Sequence, residues 1–192
     1  LVSLYDWEVT LSQYNLLSSH DEARFLTMVG GDKRRLELAT LFQMTFPGVP
    51  GIYYGDEIGM EGGGDPDCRR AFPWAEQRWD TMLRDTFKRF IALRKAHPAL
   101  RRGNFAVLHA ADTAYAFARS DEAEVVVVAF NVGDNPADVA INLHDLVPGN
   151  AGLSEAPLSE VWTDKTHTLV DGQLMLTVDP LAARVLVYHA AL

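Results

Sequence analysis

Hydrophobic residues follow two different patterns along the chain, and the pattern changes near residue 102. Before that point, short apolar runs at residues 14–17 and 52–54 predict two strands, each followed by a polar loop and a stretch with helical spacing. Asp32 can cap the first helix, which is predicted over residues 32–44 and stopped by Pro47. Two strand–loop–helix units in succession indicate α/β structure, with parallel strands buried on both faces.

The clearest helix is predicted over residues 79–97 and ends before Pro98. Its buried row repeats at intervals of three and four, as a helix with one buried face requires. The residues of this row are Met82, Leu83, Phe87, Phe90, Ile91 and Arg94.

Residues 103–192 have a different character, because β-branched and aromatic runs alternate there with turn residues. Strands are predicted at residues 105–109, 114–119, 124–131, 138–143, 173–178 and 184–189. Several short strands of this kind are typical of an antiparallel β-sandwich. The chain therefore divides into an α/β part, residues 1–102, and an all-β part, residues 103–192.

Composition excludes several classes of protein. Of the 192 residues, 48% are hydrophobic and 22% are charged, which is the balance of a globular protein. The net charge of −9 argues against nucleic acid as a partner, since phosphate binding needs a basic face. No apolar run approaches the ~20 residues that a membrane helix needs, so no membrane partner is expected. The lone Cys68 excludes an internal disulfide and favours a reducing compartment such as the cytoplasm.

His20 and Asp21 directly follow the first predicted strand, and in α/β folds functional sites collect where strands end. An ionised carboxylate accepts two hydrogen bonds and suits sugar hydroxyls. The alternative is that Asp21 caps a short helical turn while His20 packs beneath it. On spacing alone, the capping role is the favoured interpretation.

A second polar loop has the sequence EGGGDPDCRR at residues 61–70. Its acidic residues suggest calcium, but their spacing is not that of an EF-hand loop. Its glycines suggest phosphate, but no Gly-Lys-Ser/Thr follows them. Cys68 lies beside two arginines without an evident partner base, so an inert thiol is favoured. A ligand-facing loop and a solvated surface loop both remain open.

Three segments in order carry a family resemblance: NLLSSHD at residues 15–21, GVPGIYYGDE at residues 48–57 and DPDCRR at residues 65–70. Together they resemble glycoside hydrolase family 13, the α-amylase family, in its neopullulanase, cyclomaltodextrinase and maltogenic amylase branch. The resemblance covers essentially the whole chain. It implies that residues 1–102 are the seventh and eighth βα units of a (β/α)₈ TIM barrel, followed by an antiparallel β-sandwich, domain C, at residues 103–192.

The resemblance also implies roles for individual residues. Asp21 is expected to stabilise the transition state, and His20 to donate a hydrogen bond to the same sugar. Asp65 and Arg69 are expected to bind glucose units on the non-reducing side, and Arg24 is assigned to substrate binding as well. No cofactor or metal is expected in this part, and calcium in the longer parent enzyme has no support from these residues.

The family's nucleophilic aspartate and general-acid glutamate have no counterpart in this chain, and a retaining glycosidase needs both carboxyl groups. We therefore expect the C-terminal piece of an enzyme that hydrolyses α-1,4-glucosidic bonds in maltodextrin, cyclodextrin or pullulan, inactive by itself. Its expected partners are an α-glucan oligosaccharide and either the missing N-terminal part or a second copy of the chain. The alternative hypothesis is a non-catalytic amylase-like subunit for binding or assembly, which would not need intact sugar ligands.

Overall fold

The chain folds as two units, Leu1–Ala96 and His97–Leu192. A computed structural model describes residues 4–143, 146 and 157–189. The sequence placed the boundary after residue 102, whereas the structure places it before the short helix α5 (Pro98–Arg102). The reason is that α5 is hydrogen-bonded to side chains from strands of the second unit. Within the described ranges, no helix is both long and apolar enough to cross a membrane.

The first unit is mostly helical. Its elements are α1 (Trp7–Ser12), β1 (Tyr14–Leu16), α2 (Phe25–Met28), α3 (Lys33–Thr45), β2 (Val49–Gly51) and α4 (Thr81–Ala96), with single 3₁₀ turns at Asp56–Ile58, Asp67–Arg69 and Glu76–Arg78. The two predicted helices are confirmed as α3 and α4. Asp32 accepts a hydrogen bond from the Arg34 N–H at 3.0 Å and so caps α3. The helices α1 and α2 were not predicted, because six and four residues are too few to show an apolar period.

Strands β1 and β2 form a parallel pair, in which Tyr14 lies opposite Val49. The second strand was predicted over residues 52–54, within a longer run of residues 49–54. The structure confirms a parallel strand in this run but confines it to Val49–Gly51, so the narrower range was wrong. Beyond Gly51 the backbone turns instead of continuing the ladder, and the Asp56 N–H donates to the Tyr53 carbonyl at 3.1 Å. The chain therefore leaves the sheet earlier than its apolar run suggests.

The sequence predicted that the parallel pair would be buried on both faces, but the structure leaves one face exposed. The exposed fractions are 65% for Tyr14, 46% for Leu16 and 49% for Val49. In the described part of the chain these two strands pair only with each other. On the inner side, the Gln43 amide of α3 donates to the Asn15 and Gly51 carbonyls, both at 2.8 Å, and thereby joins both strands to the helix.

Helices α2, α3 and α4 enclose the apolar core of the first unit, which includes Leu26, Leu36, Leu83 and Phe87. Two positions of the predicted buried row behave differently. Met82 is 83% exposed, so it lies outside the core. Arg94 donates to the carbonyls of Met44 at 2.8 Å and Gly48 at 2.6 Å, and thus binds the backbone where α3 ends.

The second unit is antiparallel. After α5 its strands are β3 (Asn104–Ala111), β4 (Ala114–Ser120), β5 (Glu124–Asn131), β6 (Ala137–Asn142), β7 (Pro157–Glu160), β8 (Thr166–Thr168), β9 (Gln173–Val178) and β10 (Ala182–His189). They form a sheet in the order β3-β4-β5-β10-β7-β8 and a separate β6-β9 pair. The six predicted strands are confirmed. The sequence missed β7 and β8, which are only four and three residues long.

The two sheets of the second unit share one apolar core. Ala116 and Val127 of the larger sheet belong to the same buried cluster as Ile141 and Leu176 of the β6-β9 pair. Arg119 of β4 is also fully buried. Its guanidinium donates to the carbonyls of residues 100, 103 and 104 at 2.8 to 3.1 Å, which satisfies a charge that would be costly to bury alone.

Candidate functional site

The loop after β1 presents His20 and Asp21 on the surface. Their side chains are 66% and 74% exposed, and His20 Nε2 lies 3.3 Å from Asp21 Oδ2. The capping interpretation does not fit, because the N-cap of α2 is Arg24 and no side chain caps that helix. Asp21 is instead fixed locally, since its backbone N–H donates to Ser19 Oγ at 3.1 Å. Its carboxylate is therefore available to a ligand.

The loop of residues 61–70 is held by one ion pair and displays another. Asp67 accepts from Arg70 Nε and Nη2, both at 2.7 Å, and from the Gly63 N–H at 2.7 Å. The Arg70 guanidinium beside Asp67 lowers the pKa of that carboxyl below its ordinary value. Asp65 and Arg69 form the second ion pair, and their side chains are 52% and 48% exposed. This pair offers a ligand both acceptors and donors.

Arg24 is placed differently from the other candidates, because its side chain has no exposed surface. Its Nη1 donates to the Tyr54 carbonyl at 2.8 Å and to Asp56 Oδ1 at 2.9 Å, and its Nε donates to the Cys68 carbonyl at 3.1 Å. The Tyr53 and Tyr54 rings lie 4.6 and 4.8 Å from its Cζ. The sequence assigned Arg24 to substrate binding, but the structure encloses it among groups of the chain itself.

Asp56 is the buried partner of Arg24, with a side chain that is 8% exposed. Burial raises the pKa of Asp56 above its ordinary value, while the Ser18 hydroxyl and the Arg24 guanidinium oppose that rise. Asp56 lies in the second family segment, residues 48–57, and the sequence predicts no role for it. The only signal was its position after a strand, and nothing local indicated that it would meet an arginine 32 residues away.

The two surface loops are in direct contact. The Cys68 thiol donates to the His20 carbonyl at 3.2 Å, and Cys68 is completely buried. The Arg24 N–H donates to the Gly62 carbonyl at 2.9 Å, and the Gly62 N–H donates to Thr27 Oγ1 at 2.8 Å. The loop after β1 and residues 61–70 therefore form one hydrogen-bonded surface, which carries exposed histidine, carboxylate and guanidinium groups.

Such a surface suits a ligand rich in hydroxyl groups, since carboxylates accept and guanidinium groups donate hydrogen bonds in fixed directions. Among the described residues, no group of three or more His, Cys, Asp or Glu side chains is arranged to hold a metal ion.

Several known proteins are similar to this chain in sequence and in fold. Residues 4–78 match the family described as "Alpha amylase, catalytic domain". The cyclomaltodextrinase of Geobacillus thermopakistaniensis (strain MAS1) is 44% identical over 137 residues, which are 70% of this chain and 23% of that protein. Neopullulanase 2 of Thermoactinomyces vulgaris is 39% identical over 190 residues, which are 95% of this chain and 30% of that protein.

Among solved structures, the native form of the Nostoc punctiforme debranching enzyme matches with a TM-score of 0.80 and 38% identity, covering 96% of this chain and 37% of that one. The chain thus spans between 23% and 30% of the length of the two relatives compared by sequence. The family match over residues 4–78 includes both surface loops. Beyond that range, the similarity to neopullulanase 2 in sequence and to the debranching enzyme in fold covers 95% and 96% of this chain. The chain belongs to the α-amylase family, glycoside hydrolase family 13.

Proposed function

We propose that this chain is the sugar-binding part of a longer glycoside hydrolase that cleaves α-1,4-glucosidic bonds in maltodextrin, cyclodextrin or pullulan. The observation that carries the proposal is the contact between the two loops, which sets His20 and Asp21 beside residues 61–70. The names of the relatives, cyclomaltodextrinase and neopullulanase, support this class of substrate. In this proposal the first unit holds the last two βα units of a barrel, and the second unit is domain C.

Asp21 acts mainly in the transition state. Cleavage of a glycosidic bond passes through an oxocarbenium-like state, and hydrogen bonds to sugar hydroxyls strengthen as that state forms. A carboxylate held beside those hydroxyls therefore lowers the barrier more than it tightens ground-state binding. His20, whose Nε2 lies 3.3 Å from the Asp21 carboxylate, orients that group and donates to the same sugar.

Asp65 and Arg69 bind glucose units away from the reacting bond. Their ion pair lies on a loop that the Arg70–Asp67 ion pair stabilises. Both of their side chains are about half exposed and can contact a ligand. A guanidinium and a carboxylate side by side can donate to one hydroxyl and accept from the next. This pair contributes binding energy and orientation, and takes no part in bond cleavage.

The nucleophile and the general acid come from the rest of the longer protein. Retaining hydrolysis needs two carboxyl groups about 5–5.5 Å apart on either side of the scissile bond, and no residue assigned above fills either role. The 192-residue chain alone is therefore expected not to hydrolyse maltodextrin. Turnover of a chromogenic maltoside above contaminant controls would contradict this expectation.

The decisive experiment is Asp21→Asn in the intact enzyme, meaning the longer protein that carries these residues. We expect kcat and kcat/KM for maltotriose to fall together, by about a hundredfold or more, because transition-state stabilisation is lost. Glu22→Gln, at a neighbouring exposed position with no assigned role, is the control and should alter kcat only slightly. An unchanged kcat in the Asp21 variant would refute the catalytic role. Binding of maltotriose by the wild type without turnover would favour the non-catalytic subunit.

A further inference from the structure

The buried guanidinium of Arg24 connects three separate segments of the first unit. Arg24 itself lies at the end of the loop after β1. Its guanidinium donates to the Tyr54 carbonyl and the Asp56 carboxylate in the segment after β2, and to the Cys68 carbonyl in residues 61–70. We infer that Arg24 is a positioning residue, which fixes the loop bearing His20 and Asp21 relative to the loop bearing Asp65 and Arg69. This inference rests on the proposed function and adds a residue to it.

The geometry of the guanidinium makes the connection rigid. Its donors lie in one plane at fixed angles, so bonds to three different acceptors define the relative positions of those acceptors. The plane itself is held, since the rings of Tyr53 and Tyr54 lie 4.6 and 4.8 Å from its Cζ. A lysine would keep the charge opposite Asp56 but could not reach the same acceptors in the same directions.

The connection closes on itself through Cys68. Arg24 binds the Cys68 carbonyl, and the Cys68 thiol in turn binds the His20 carbonyl at 3.2 Å. A second link runs through Gly62, which accepts from the Arg24 N–H and donates to Thr27. A Cβ at Gly62 would lie 2.7 Å from the Asp67 carbonyl oxygen, so glycine is needed for residues 61–70 to fold back this closely on themselves. A shift of either loop must therefore disturb the other.

Fold stability alone does not account for this arrangement. A buried ion pair is often no more stabilising than an apolar pair of similar size, so Arg24 and Asp56 are not required merely to hold a core. Their distinctive property is that they form hydrogen bonds in fixed directions. These bonds hold the two loops that carry the exposed side chains proposed to bind sugar. Displacement of reacting groups by about 1 Å can reduce a rate about a hundredfold, which gives such positioning a kinetic consequence.

The test uses Cys68 as a reporter, since it is completely buried between the two loops. In the intact enzyme, Cys68 would be labelled with N-ethylmaleimide and its peptide quantified by mass spectrometry, together with kcat and KM for maltotriose. Arg24→Met and the charge-neutral double variant Arg24→Met/Asp56→Asn remove the connection, and Arg24→Lys tests partial rescue. Arg119→Met is the matched control, because Arg119 is an equally buried arginine that donates to carbonyls in the second unit.

We expect the double variant to label at Cys68 about tenfold faster or more, as local opening becomes easier. Its kcat/KM should fall about a hundredfold, with kcat reduced and KM raised. Arg24→Lys should lie between it and the wild type, and Arg119→Met should change neither quantity more than about twofold at temperatures where it stays folded. A folded double variant with wild-type labelling and wild-type kcat/KM would overturn the inference. A wild-type enzyme that neither binds nor hydrolyses maltotriose would instead refute the proposed function. The labelling rates at Cys68 would still decide whether Arg24 positions the two loops.

Discussion

Arg69 is a half-exposed arginine whose charge is paired with Asp65 and whose backbone lies on a firmly held loop. Replacement by alanine should remove donors to a bound sugar while leaving the reacting centre in place. We expect Arg69→Ala to raise KM for maltotriose about tenfold or more, since hydrogen bonds from charged groups contribute about 1.5–3 kcal/mol. The value of kcat should stay within about twofold, as uniform binding is what is lost.

Steady-state kinetics on the intact enzyme would measure both constants. Arg78→Ala is a suitable control, because Arg78 is an exposed arginine in the nearby Glu76–Arg78 turn and has no assigned role. A fall in kcat with KM unchanged would place Arg69 at the reacting centre and contradict its assignment to a distant sugar.

The residue scale also shows where sequence reasoning stopped. Spacing alone favours a capping role for Asp21, and only the family resemblance implies that His20 and Asp21 bind sugar; the structure leaves both side chains exposed. The burial of Arg24 could not be predicted, since its environment is created by Asp56 and Cys68, 32 and 44 residues away in the chain. Local spacing contains no information on such a long-range partner.

At the scale of secondary-structure elements, an ion-pair cluster joins three strands of the larger sheet. Glu160 of β7 accepts from Arg184 of β10 at 2.9 and 2.5 Å, and lies 3.1 Å from His167 Nε2 of β8. The Arg184 guanidinium, with a smaller contribution from His167, lowers the pKa of Glu160 from 4.5 to about 2. Its side chain is only 9% exposed, so solvent screens the interaction little.

This cluster predicts acid sensitivity of the second unit. Because the folded pKa of Glu160 lies below the unfolded one, the unfolded chain binds more protons between pH 4.5 and 2. The stabilisation is therefore complete above about pH 4.5 and is lost as the pH falls toward 2. A drop from 4.5 to about 2 corresponds to about 3 kcal/mol, at about 1.4 kcal/mol for each pH unit.

Urea unfolding followed by circular dichroism at several pH values would measure this effect. Glu160→Gln should be less stable than the wild type at pH 6 and should lose less stability on acidification. Glu122→Gln, at an exposed position, is the control and should follow the wild-type curve. Parallel curves for Glu160→Gln and the wild type would show that the cluster does not contribute.

Some strands of this protein can be predicted from their own residues, and others cannot. The long strands of the second unit, such as β5 and β9, were predicted because six to eight residues show a clear apolar pattern. Strands β7 and β8 are too short for that pattern. The end of β2 was predicted wrongly for another reason, since its limits depend on pairing with β1 and on the Gln43 amide and not on its own apolar run.

At the scale of the whole molecule, the β1-β2 pair leaves apolar side chains and unpaired strand edges open in the described residues. A groove beside it is lined by Leu16, Phe42 and Phe46 among others. Parallel strands are normally covered on both faces and paired along their edges. The 21.3 kDa chain alone is therefore expected to self-associate or to require the rest of the proposed enzyme.

Size-exclusion chromatography with light scattering on the isolated chain would test this. We expect a mass above 21.3 kDa or a broad distribution, and a shift toward monomer in Leu16→Ser/Val49→Ser. The control Met82→Ser removes an apolar side chain of α4 that is more exposed than either of these, and it should change little. A monodisperse monomer with cooperative melting of both units would contradict the expectation.

The central strand β5 has a consequence for the timescale on which the molecule opens. All eight of its residues are buried, and β4 and β10 pair with it along its length. Its amide protons can exchange with solvent only when one of those ladders separates, which requires the core between the sheets to open. Hydrogen–deuterium exchange should therefore find the slowest amides in Glu124–Asn131, and much faster exchange in the edge strand β8 (Thr166–Thr168). Comparable rates in the two segments would mean that both strands exchange through the same global opening, and that β5 is no better protected than the edge.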